Sequence, residues 1–309
     1  MSGYAAIFPG QGAQLVGMGR DVAERFRVAA ETFAHADEVL GWPLSRVCFE
    51  GPAERLNATD VQQPAIFTTS VALFRAAVDA GRFKPEFCGA MGGLSLGEYT
   101  ALHLADALSF ADALRLVARR GQLMQQAAER TAGGMVSLIG ADEAKALALC
   151  ERVSATGRVR PANYNCPGQI VISGDKAACE AAASLAGEFD LRAVPLPVAG
   201  AFHSEHMQSA AEGLRQVLAE CEFRTPQVRV VSNVTAAYHE RPDTIRELLY
   251  RQVVSPVRWQ ACVERLIADG YTEFWEIGPN RHLAGMLRKI DRRAKVTNVG
   301  TLADLTPTD

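Results

Sequence analysis

The sequence of 309 residues predicts an α/β fold in which a mostly parallel sheet carries helices on both faces. Two observations support this prediction. In residues 1–129 and again in residues 200–309, short apolar runs alternate with longer segments whose apolar residues recur at helical spacing. Residues 130–199 follow a different order of strands and helices. We therefore expect a body built from both ends of the chain and a smaller inserted subdomain.

The predicted body has strands and helices in alternation. Two of its apolar runs end at a proline–glycine or glycine–glycine pair, as short buried strands often do. Strands that alternate with helices of this length are typical of β-α-β units and of a parallel sheet. The expected strands are residues 4–8, 87–91, 228–231 and 274–277, and the expected helices are residues 63–80, 98–130, 207–218 and 256–270.

The predicted insert, residues 130–199, contains a hairpin whose turn lies at Asn165-Cys166-Pro167-Gly168. Its order is strand, helix, strand, strand, helix, strand, which is the order of a ferredoxin-like (βαββαβ) unit. The expected strands are residues 134–139, 159–163, 169–173 and 191–198, and the expected helices are residues 142–152 and 176–189.

Composition and charge exclude several classes of protein. The chain is 48% hydrophobic and 22% charged with a net charge of −3, which argues against a mainly electrostatic nucleic-acid binder. No apolar run approaches the roughly 18 residues of a membrane span, and the first basic residue is Arg20, unlike a signal peptide. The seven cysteines form no C-x-x-C pair, which favours reduced core thiols over disulfides or zinc. We expect a cytoplasmic enzyme without a membrane or nucleic-acid partner.

A candidate nucleophile lies at Ser95, within Gly93-Leu94-Ser95-Leu96-Gly97. This G-x-S-x-G pattern follows a predicted strand and precedes a predicted helix, as it does in an α/β-hydrolase-like body. There a sharp turn exposes the hydroxyl, while the next amide and the helix N-terminus stabilise an oxyanion. The alternative is a glycine-rich turn whose serine only caps the helix.

A serine hydroxyl needs a base, and His203 is the best placed of six histidines. It lies where the last strand of the insert gives way to a helix, and such strand ends are where α/β proteins place functional groups. His35 and His103 lie within helical stretches and are expected to pack or face solvent. His203 and His206 also form an H-x-x-H pair, but no carboxylate or cysteine pattern nearby completes a metal site.

Two other features of the sequence, the glycine-containing segment at residues 8–14 and Arg120, each allow two interpretations. Residues 8–14 contain Gly10-Gln11-Gly12, but Leu15 replaces the third glycine of a dinucleotide loop. The segment either aims a main-chain amide into a site or forms a simple tight turn. Arg120 follows the apolar face of a helix, where it either binds an anionic substrate group or is solvated.

Taken together, these segments resemble the malonyl-CoA:acyl carrier protein transacylases along nearly the whole chain. No single block is specific, but the ordered set is. The matching blocks are residues 8–14 (FPGQGAQ), 51–65, 95–99 (SLGEY), 120–121 (RG), 163–174 (NYNCPGQIVISG), 201–204 (AFHS), 252–257 and 276–279 (EIGP).

The resemblance implies a role for each matching residue. Ser95 would be the nucleophile and His203 its base. The main-chain amides of Gln11 and Leu96 would form the oxyanion hole. Arg120 would bind the free carboxylate of a malonyl group.

Further positions follow from the same resemblance. The family orients its histidine through a carbonyl near Gln252, not through an aspartate, which accounts for the lack of an acid between Ser95 and His203 in the hydrolase chain order. Phe202 resembles the pattern that selects malonyl over methylmalonyl groups, and Asn163 would line the pocket.

The implied reaction is ping-pong transfer of malonyl from malonyl-CoA to the phosphopantetheine thiol of an acyl carrier protein. It requires no metal or redox cofactor, and the family is usually monomeric. A serine hydrolase or thioesterase on the same scaffold is a second hypothesis, which would prefer a neutral residue at Arg120. A non-catalytic binding protein is a third, and it would tolerate loss of Ser95 or His203.

The chain departs from the family's pattern at Leu94, where a histidine commonly precedes the nucleophile. The substitution removes a polar group beside Ser95. Carrier proteins are generally acidic, so a basic cluster near the C-terminus is a candidate docking patch centred on Arg288 and Lys289, or else an ordinary solvated helix and turn. The cluster consists of Arg281, Arg288, Lys289, Arg292, Arg293 and Lys295, with Asp291 among them.

Overall fold

The structure, a computed structural model, describes residues 3–306. The strands are β1 (Tyr4–Phe8), β2 (Cys88–Gly93), β3 (Gly133–Ala141), β4 (Val159–Cys166), β5 (Gly168–Asp175), β6 (Arg192–Pro195), β7 (Arg229–Val230), β8 (Glu273–Ile277) and β9 (Lys295–Val299). The helices of the first half are α1 (Arg20–Arg25), α2 (Arg27–Leu40), α3 (Leu44–Glu50), α4 (Ala53–Asn57), α5 (Thr59–Asp79), α6 (Leu96–Leu104), α7 (Phe110–Arg130) and α8 (Glu143–Arg152). Those of the second half are α9 (Lys176–Leu185), α10 (Gln208–Glu220), α11 (Pro242–Gln252), α12 (Trp259–Ala268), α13 (Leu283–Ile290) and α14 (Leu302–Leu305).

A five-stranded parallel sheet forms the centre of the molecule, with strand order β7-β2-β1-β8-β9. Strand β1 lies in the middle because its last four residues are fully buried and apolar. Strands β1, β2 and β8 end close together, so the loops that follow them meet at one edge of the sheet. The prediction of an α/β fold with a parallel sheet is confirmed.

A second, four-stranded sheet has the order β4-β5-β3-β6, and its strand pairs are antiparallel. Helices α8 and α9 pack on it around a separate apolar cluster that includes Leu138, Leu149 and Ile172. The chain passes through strand, helix, strand, strand, helix and strand in the predicted order. The last predicted strand, residues 191–198, is shorter than expected and ends at Pro195.

In the body, two predicted elements differ from the structure and one strand was not predicted. The helix predicted at residues 98–130 is two helices, α6 and α7, because Asp106 adopts a left-handed conformation (φ 61°) and Ser109 caps a new helix by accepting from the Asp112 amide. The strand predicted at residues 228–231 is reduced to the two residues of β7. Strand β9 was not predicted, because its residues alternate between half-buried and exposed positions at the edge of the sheet.

Two observations concern the cysteines and the helices of the described residues 3–306. All seven cysteines are free and buried. Among the described residues, no helix is both long and apolar enough to cross a membrane.

Candidate active site

Ser95 lies at the turn between β2 and α6, in a conformation that side chains rarely adopt (φ 50°, ψ −98°). Both neighbouring glycines are required for this turn. A Cβ at Gly97 would lie 2.1 Å from the Phe8 carbonyl oxygen, and one at Gly93 would lie 2.0 Å from the carbonyl carbon of Gly97. The G-x-S-x-G segment therefore holds a strained serine at the end of a central strand, as predicted.

His203 lies beside this serine, with its Nε2 2.8 Å from Ser95 Oγ. Its Nδ1 lies 2.9 Å from the main-chain carbonyl oxygen of Gln252. Because a carbonyl only accepts, Nδ1 carries the proton and Nε2 is free to accept from the serine hydroxyl. Burial, assisted by the positive charge of Arg120, lowers the pKa of His203 to about 4, so the imidazole is neutral near pH 7.

Arg120 is the third side chain of the cluster. It lies in the middle of α7, not at a helix end, and only 2% of its surface is exposed, whereas Arg119 faces solvent. Its Nη2 donates to Ser95 Oγ at 3.0 Å and to Gln252 Oε1 at 3.1 Å, and its Nη1 donates to Gln63 Oε1 at 2.6 Å. The guanidinium stands in the site, so the solvated alternative is wrong.

The environment of Arg120 is unusual because every acceptor it contacts is uncharged. Burial lowers the pKa of Arg120, and the neighbouring Tyr99 hydroxyl and Glu98 carboxylate oppose that shift. Between residues 3 and 306 it forms no ion pair, and its Nε has no hydrogen-bond partner. A buried arginine without an anion favours an anionic ligand beside it.

Of the two proposed oxyanion donors, Leu96 directly follows the serine in sequence and Gln11 lines the same cavity. Gln11 lies in the loop after β1 and lines the same cavity as Ser95, while Leu96 is the first residue of α6. No hydrogen bond from either main-chain amide is found among residues 3–306. An amide at the N-terminus of a helix carries partial positive charge, which suits a developing oxyanion.

A cavity of ≈ 330 Å³ opens over these groups. Its floor contains Ser95 and His203, and Leu94 lies beside them. Phe202 is 3% exposed and lines one side, and Asn163 lines another. The remaining wall combines apolar side chains (Met135, Val171, Leu196, Val198 and Met286) with polar ones (Ser137, Asn165, Gln169 and His282). The insert and α13 thus supply most of the cavity's mouth.

Four buried polar residues around the cluster were not predicted from the sequence as site residues: Gln63, Glu98, Asn233 and His239. Asn233 Oδ1 accepts from the Ser95 amide at 2.6 Å, and Asn233 Nδ2 donates to the Gly93 carbonyl at 2.8 Å. Glu98 receives hydrogen bonds from the Asn233 amide, Gln252 and His239. The one feature of the sequence that could have indicated this network is Glu98, a carboxylate in the otherwise apolar first turns of α6.

His206 does not join His203 in a metal site. Its Nε2 lies 2.7 Å from Asp175 Oδ1, on the side of the insert, while His203 faces Ser95. In the described part of the chain, no group of three histidine, cysteine, aspartate or glutamate side chains is arranged to hold a metal ion.

The basic cluster lies on α13 and in the segments just before and after it, and Met286 of α13 lines the cavity. Arg288 and Lys289 are exposed and form no ion pair with residues 3–306. The cluster is less basic than the sequence indicates, because acidic partners outside it neutralise two of its members. The ion pairs are Arg281–Asp304, Arg293–Asp291 and Lys295–Glu273.

Comparison with known proteins shows the family to which the chain belongs. A family model described as "Acyl transferase domain" matches residues 6–305. The malonyl CoA-acyl carrier protein transacylase of Bacillus subtilis is 44% identical over 301 residues, covering 97% of this chain and 94% of its own. A crystal structure of an acyl carrier protein S-malonyltransferase from Vibrio cholerae is 41% identical and superposes with a TM-score of 0.93, covering 98% of this chain and 99% of its own.

A second similar structure contains a partner. It is a malonyl-transacylase in complex with a type II polyketide synthase acyl carrier protein, 40% identical to this chain, with a TM-score of 0.94 and 98% of both chains covered.

Proposed function

The chain belongs to the acyl transferase family, among the malonyl-CoA:acyl carrier protein transacylases, and we propose that it transfers malonyl from malonyl-CoA to an acyl carrier protein. The proposal of malonyl as the acyl group rests on one observation. The buried guanidinium of Arg120 lies 3.0 Å from the Ser95 hydroxyl oxygen and has no anionic partner among residues 3–306. A malonyl group attached to that oxygen brings a carboxylate to this position.

In the first half-reaction, Ser95 Oγ attacks the thioester carbonyl of malonyl-CoA and its proton passes to His203 Nε2. The carbonyl oxygen becomes an oxyanion, which the main-chain amides of Gln11 and Leu96 would stabilise. When the carbon–sulfur bond breaks, the thiolate of coenzyme A takes the proton from His203. A malonyl ester remains on Ser95.

In the second half-reaction, the phosphopantetheine thiol of the carrier protein enters the cavity that coenzyme A has left. His203 removes the thiol proton, the sulfur attacks the ester carbonyl, and the same two amides hold the oxyanion. The ester bond breaks, the proton returns to Ser95 Oγ, and the malonyl thioester leaves. Both steps balance without a metal or a redox cofactor, so we propose none.

The Gln252 carbonyl takes the place of the aspartate of a Ser-His-Asp triad. It accepts from His203 Nδ1 at 2.9 Å and so fixes the tautomer of the ring. A carbonyl carries less negative charge than a carboxylate and stabilises the imidazolium less. The malonyl carboxylate compensates in part, because it neutralises Arg120, one of the two causes of the low pKa of His203.

Two residues of the cavity wall bear on the choice of acyl donor. Phe202 is buried next to His203 in sequence, and its ring restricts the space for a branch on the acyl group. Preference for malonyl over methylmalonyl follows. Asn163 lines the same cavity and offers an amide to the acyl group or to the pantetheine arm.

We further propose a domain division, a cellular location, an oligomeric state and a docking site for the carrier protein. We assign residues 1–129 and 200–309 to an α/β-hydrolase-like body, and residues 130–199 to a ferredoxin-like subdomain, on the strand order β4-β5-β3-β6 and the order of its elements. The protein would act in the cytoplasm as a monomer. An acidic carrier protein would dock beside the mouth of the cavity, on Arg288 and Lys289.

The experiment that tests this function is intact-protein mass spectrometry of the wild type and Ser95→Ala after mixing with malonyl-CoA, followed by addition of holo acyl carrier protein. We expect a malonyl adduct on the wild type only, and its transfer to the carrier protein. An adduct lost equally fast without carrier protein would indicate a hydrolase, and no adduct would indicate a binding protein. Equal acylation by methylmalonyl-CoA would contradict the role of Phe202.

A further inference from the structure

Glu98 is a fully buried carboxylate one turn beyond the nucleophile, and the reaction described above does not use it. Its Oε2 accepts from Gln252 Nε2 at 2.6 Å and from the Asn233 amide at 3.1 Å. Its Oε1 lies 2.7 Å from His239 Nε2. All three neighbours belong to the chain between residues 233 and 252, far from Glu98 in sequence.

Two of these neighbours hold the catalytic groups. Gln252 binds three of them: its main-chain carbonyl accepts from His203, its Oε1 accepts from Arg120, and its Nε2 donates to the Ser95 carbonyl. Asn233 binds the strained turn on both sides of Leu94, through the Ser95 amide and the Gly93 carbonyl. Glu98 thus binds the two residues that connect nucleophile, base and guanidinium.

We propose that Glu98 is a positioning residue for the acyl transfer: its carboxylate fixes Gln252 and Asn233, and through them the Ser95 turn, His203 and Arg120. This inference rests on the proposed function for the identity of the acyl donor. The geometry itself involves only groups that any reaction of Ser95 would need.

The requirement is for a carboxylate, because every group that faces Glu98 is a donor. The amide of Gln252 has only one orientation that serves all its neighbours: Nε2 towards Glu98 and Oε1 towards Arg120. An amide at position 98 that turned its NH₂ group towards Gln252 would favour the flipped orientation. The flipped Gln252 would then present NH₂ to the guanidinium, a contact between two donors.

His239 completes the environment of Glu98. The side chains of both are fully buried, and His239 Nδ1 has no hydrogen-bond partner within residues 3–306. Within those residues, the His239 side chain therefore bonds only to Glu98. It donates to Oε1, the oxygen that accepts from neither Gln252 nor Asn233. Small displacements of reacting groups cost up to about 100-fold in rate, so a network of this kind has measurable consequences.

The test compares Glu98→Ala and Glu98→Gln with the wild type in two assays. One is steady-state transfer from malonyl-CoA to carrier protein. The other is the rate at which a neutral phosphonyl fluoride labels Ser95, measured by intact mass. We expect Glu98→Ala to lower kcat about 100-fold with less than a threefold change in KM, and to slow labelling to a similar extent. In Glu98→Gln, which keeps one acceptor oxygen, kcat and the labelling rate should each fall about tenfold.

Asp37→Ala is the matched control. Asp37 is a partly buried carboxylate that accepts two hydrogen bonds from Ser45, on helices that do not line the cavity. It should lower the melting temperature while kcat per folded molecule stays within twofold of the wild type.

The outcomes separate the two proposals. If folded Glu98→Ala, or folded Glu98→Gln where the alanine variant does not fold, labels Ser95 and turns over within threefold of the wild type, Glu98 has no positioning role. If the wild type forms no malonyl ester, the proposed function fails, and the labelling rates alone then decide the role of Glu98.

Discussion

The floor and the mouth of the active-site cavity are built differently. Around the floor residues Ser95 and His203, the side chains of Arg120, Gln252 and Glu98 are buried and bonded to one another or to the Ser95 turn. The mouth combines the insert hairpin with α13, and its amide and apolar groups line an open cavity. The floor therefore fixes the chemistry, while the mouth is free to select what enters.

The difference has an energetic consequence. Removing one partner from the floor leaves another polar group buried without a hydrogen bond, at a cost of about 1–3 kcal/mol, or about 3–5 kcal/mol for a charge. Water can replace a lost contact in the mouth, so each change there costs less. Substitutions in the floor should reduce the rate by orders of magnitude, and those in the mouth should change selectivity or KM by several-fold.

The largest effect is expected for Arg120→Met, which keeps the volume of the side chain but removes its charge. A malonyl carboxylate would then be buried without a partner, so kcat/KM for malonyl-CoA should fall about 10²- to 10³-fold. Acetyl-CoA has no carboxylate, so its kcat/KM should change far less. Steady-state transfer from both donors measures the two effects.

Arg119→Met is the control, because this neighbouring arginine is exposed and, among residues 3–306, its side chain bonds only to Gln122. In this variant, kcat/KM for malonyl-CoA and kcat/KM for acetyl-CoA should both stay within twofold of the wild type. An equal loss with malonyl-CoA and acetyl-CoA in Arg120→Met would contradict the role of this guanidinium as a carboxylate clamp.

A second prediction concerns the pH dependence of Ser95 reactivity. The neutral imidazole is the active form of His203, and its pKa is lowered to about 4, by burial first and by the charge of Arg120 second. Labelling by a neutral phosphonyl fluoride should therefore stay constant from pH 8 to about pH 5 and fall with a midpoint near 4, not near 6.5. In Arg120→Met the second cause is absent, so the midpoint should move to higher pH.

Stability changes in the same pH range and has to be followed by circular dichroism. His103 and His203 both have a pKa lowered to about 4 by burial, so the folded protein binds fewer protons than the unfolded chain between pH 6.5 and 4. The free energy of unfolding should therefore fall as the pH is lowered through that range, by about 3 kcal/mol per histidine. A labelling midpoint near 6.5 in protein that is still folded would overturn the assignment of a neutral, buried base.

The same contrast explains which parts of the fold the sequence could predict. Strands β1 and β2 were predictable because parallel strands buried on both faces are runs without charged residues, whereas β8 was predictable from Phe274, Trp275 and Ile277 and from the Gly278-Pro279 pair that follows them. Strand β9 lies at the sheet edge with one side towards solvent, so its sequence carries no such run. The division of residues 98–130 into two helices was hidden because apolar residues continue through the break.

For the site, local pattern identified Ser95 and pointed to His203, but it left Arg120 open. Neighbouring residues on a helix point about 100° apart, so the adjacent Arg119 and Arg120 face different directions. Which of them faces inwards is decided by the packing of α7 against α5, which the local sequence does not record. Asn233 lies 138 positions from the Ser95 amide that it binds, and Glu98 lies 141 positions from His239. No local pattern records contacts of that range.

The smallest effect is expected in the mouth, for Arg288→Glu combined with Lys289→Glu. These exposed side chains lie two and three residues beyond Met286, which lines the cavity, and neither is paired with an acid among residues 3–306. Reversing both charges should raise KM for an acidic carrier protein about five- to tenfold at low salt, with KM for malonyl-CoA unchanged.

High salt and a displaced variant sharpen this prediction. At about 0.5 M salt the difference from the wild type should nearly vanish, because exposed charges are then screened beyond a few ångströms. Arg27→Glu with Arg46→Glu makes the same charge change on α2 and α3, away from the cavity, and should leave both KM values unchanged. If that control raises KM for the carrier protein as much as the α13 variant does, attraction depends on net charge alone. If only the α13 variant responds, the carrier protein meets the mouth at α13, and kcat should stay constant because the floor is untouched.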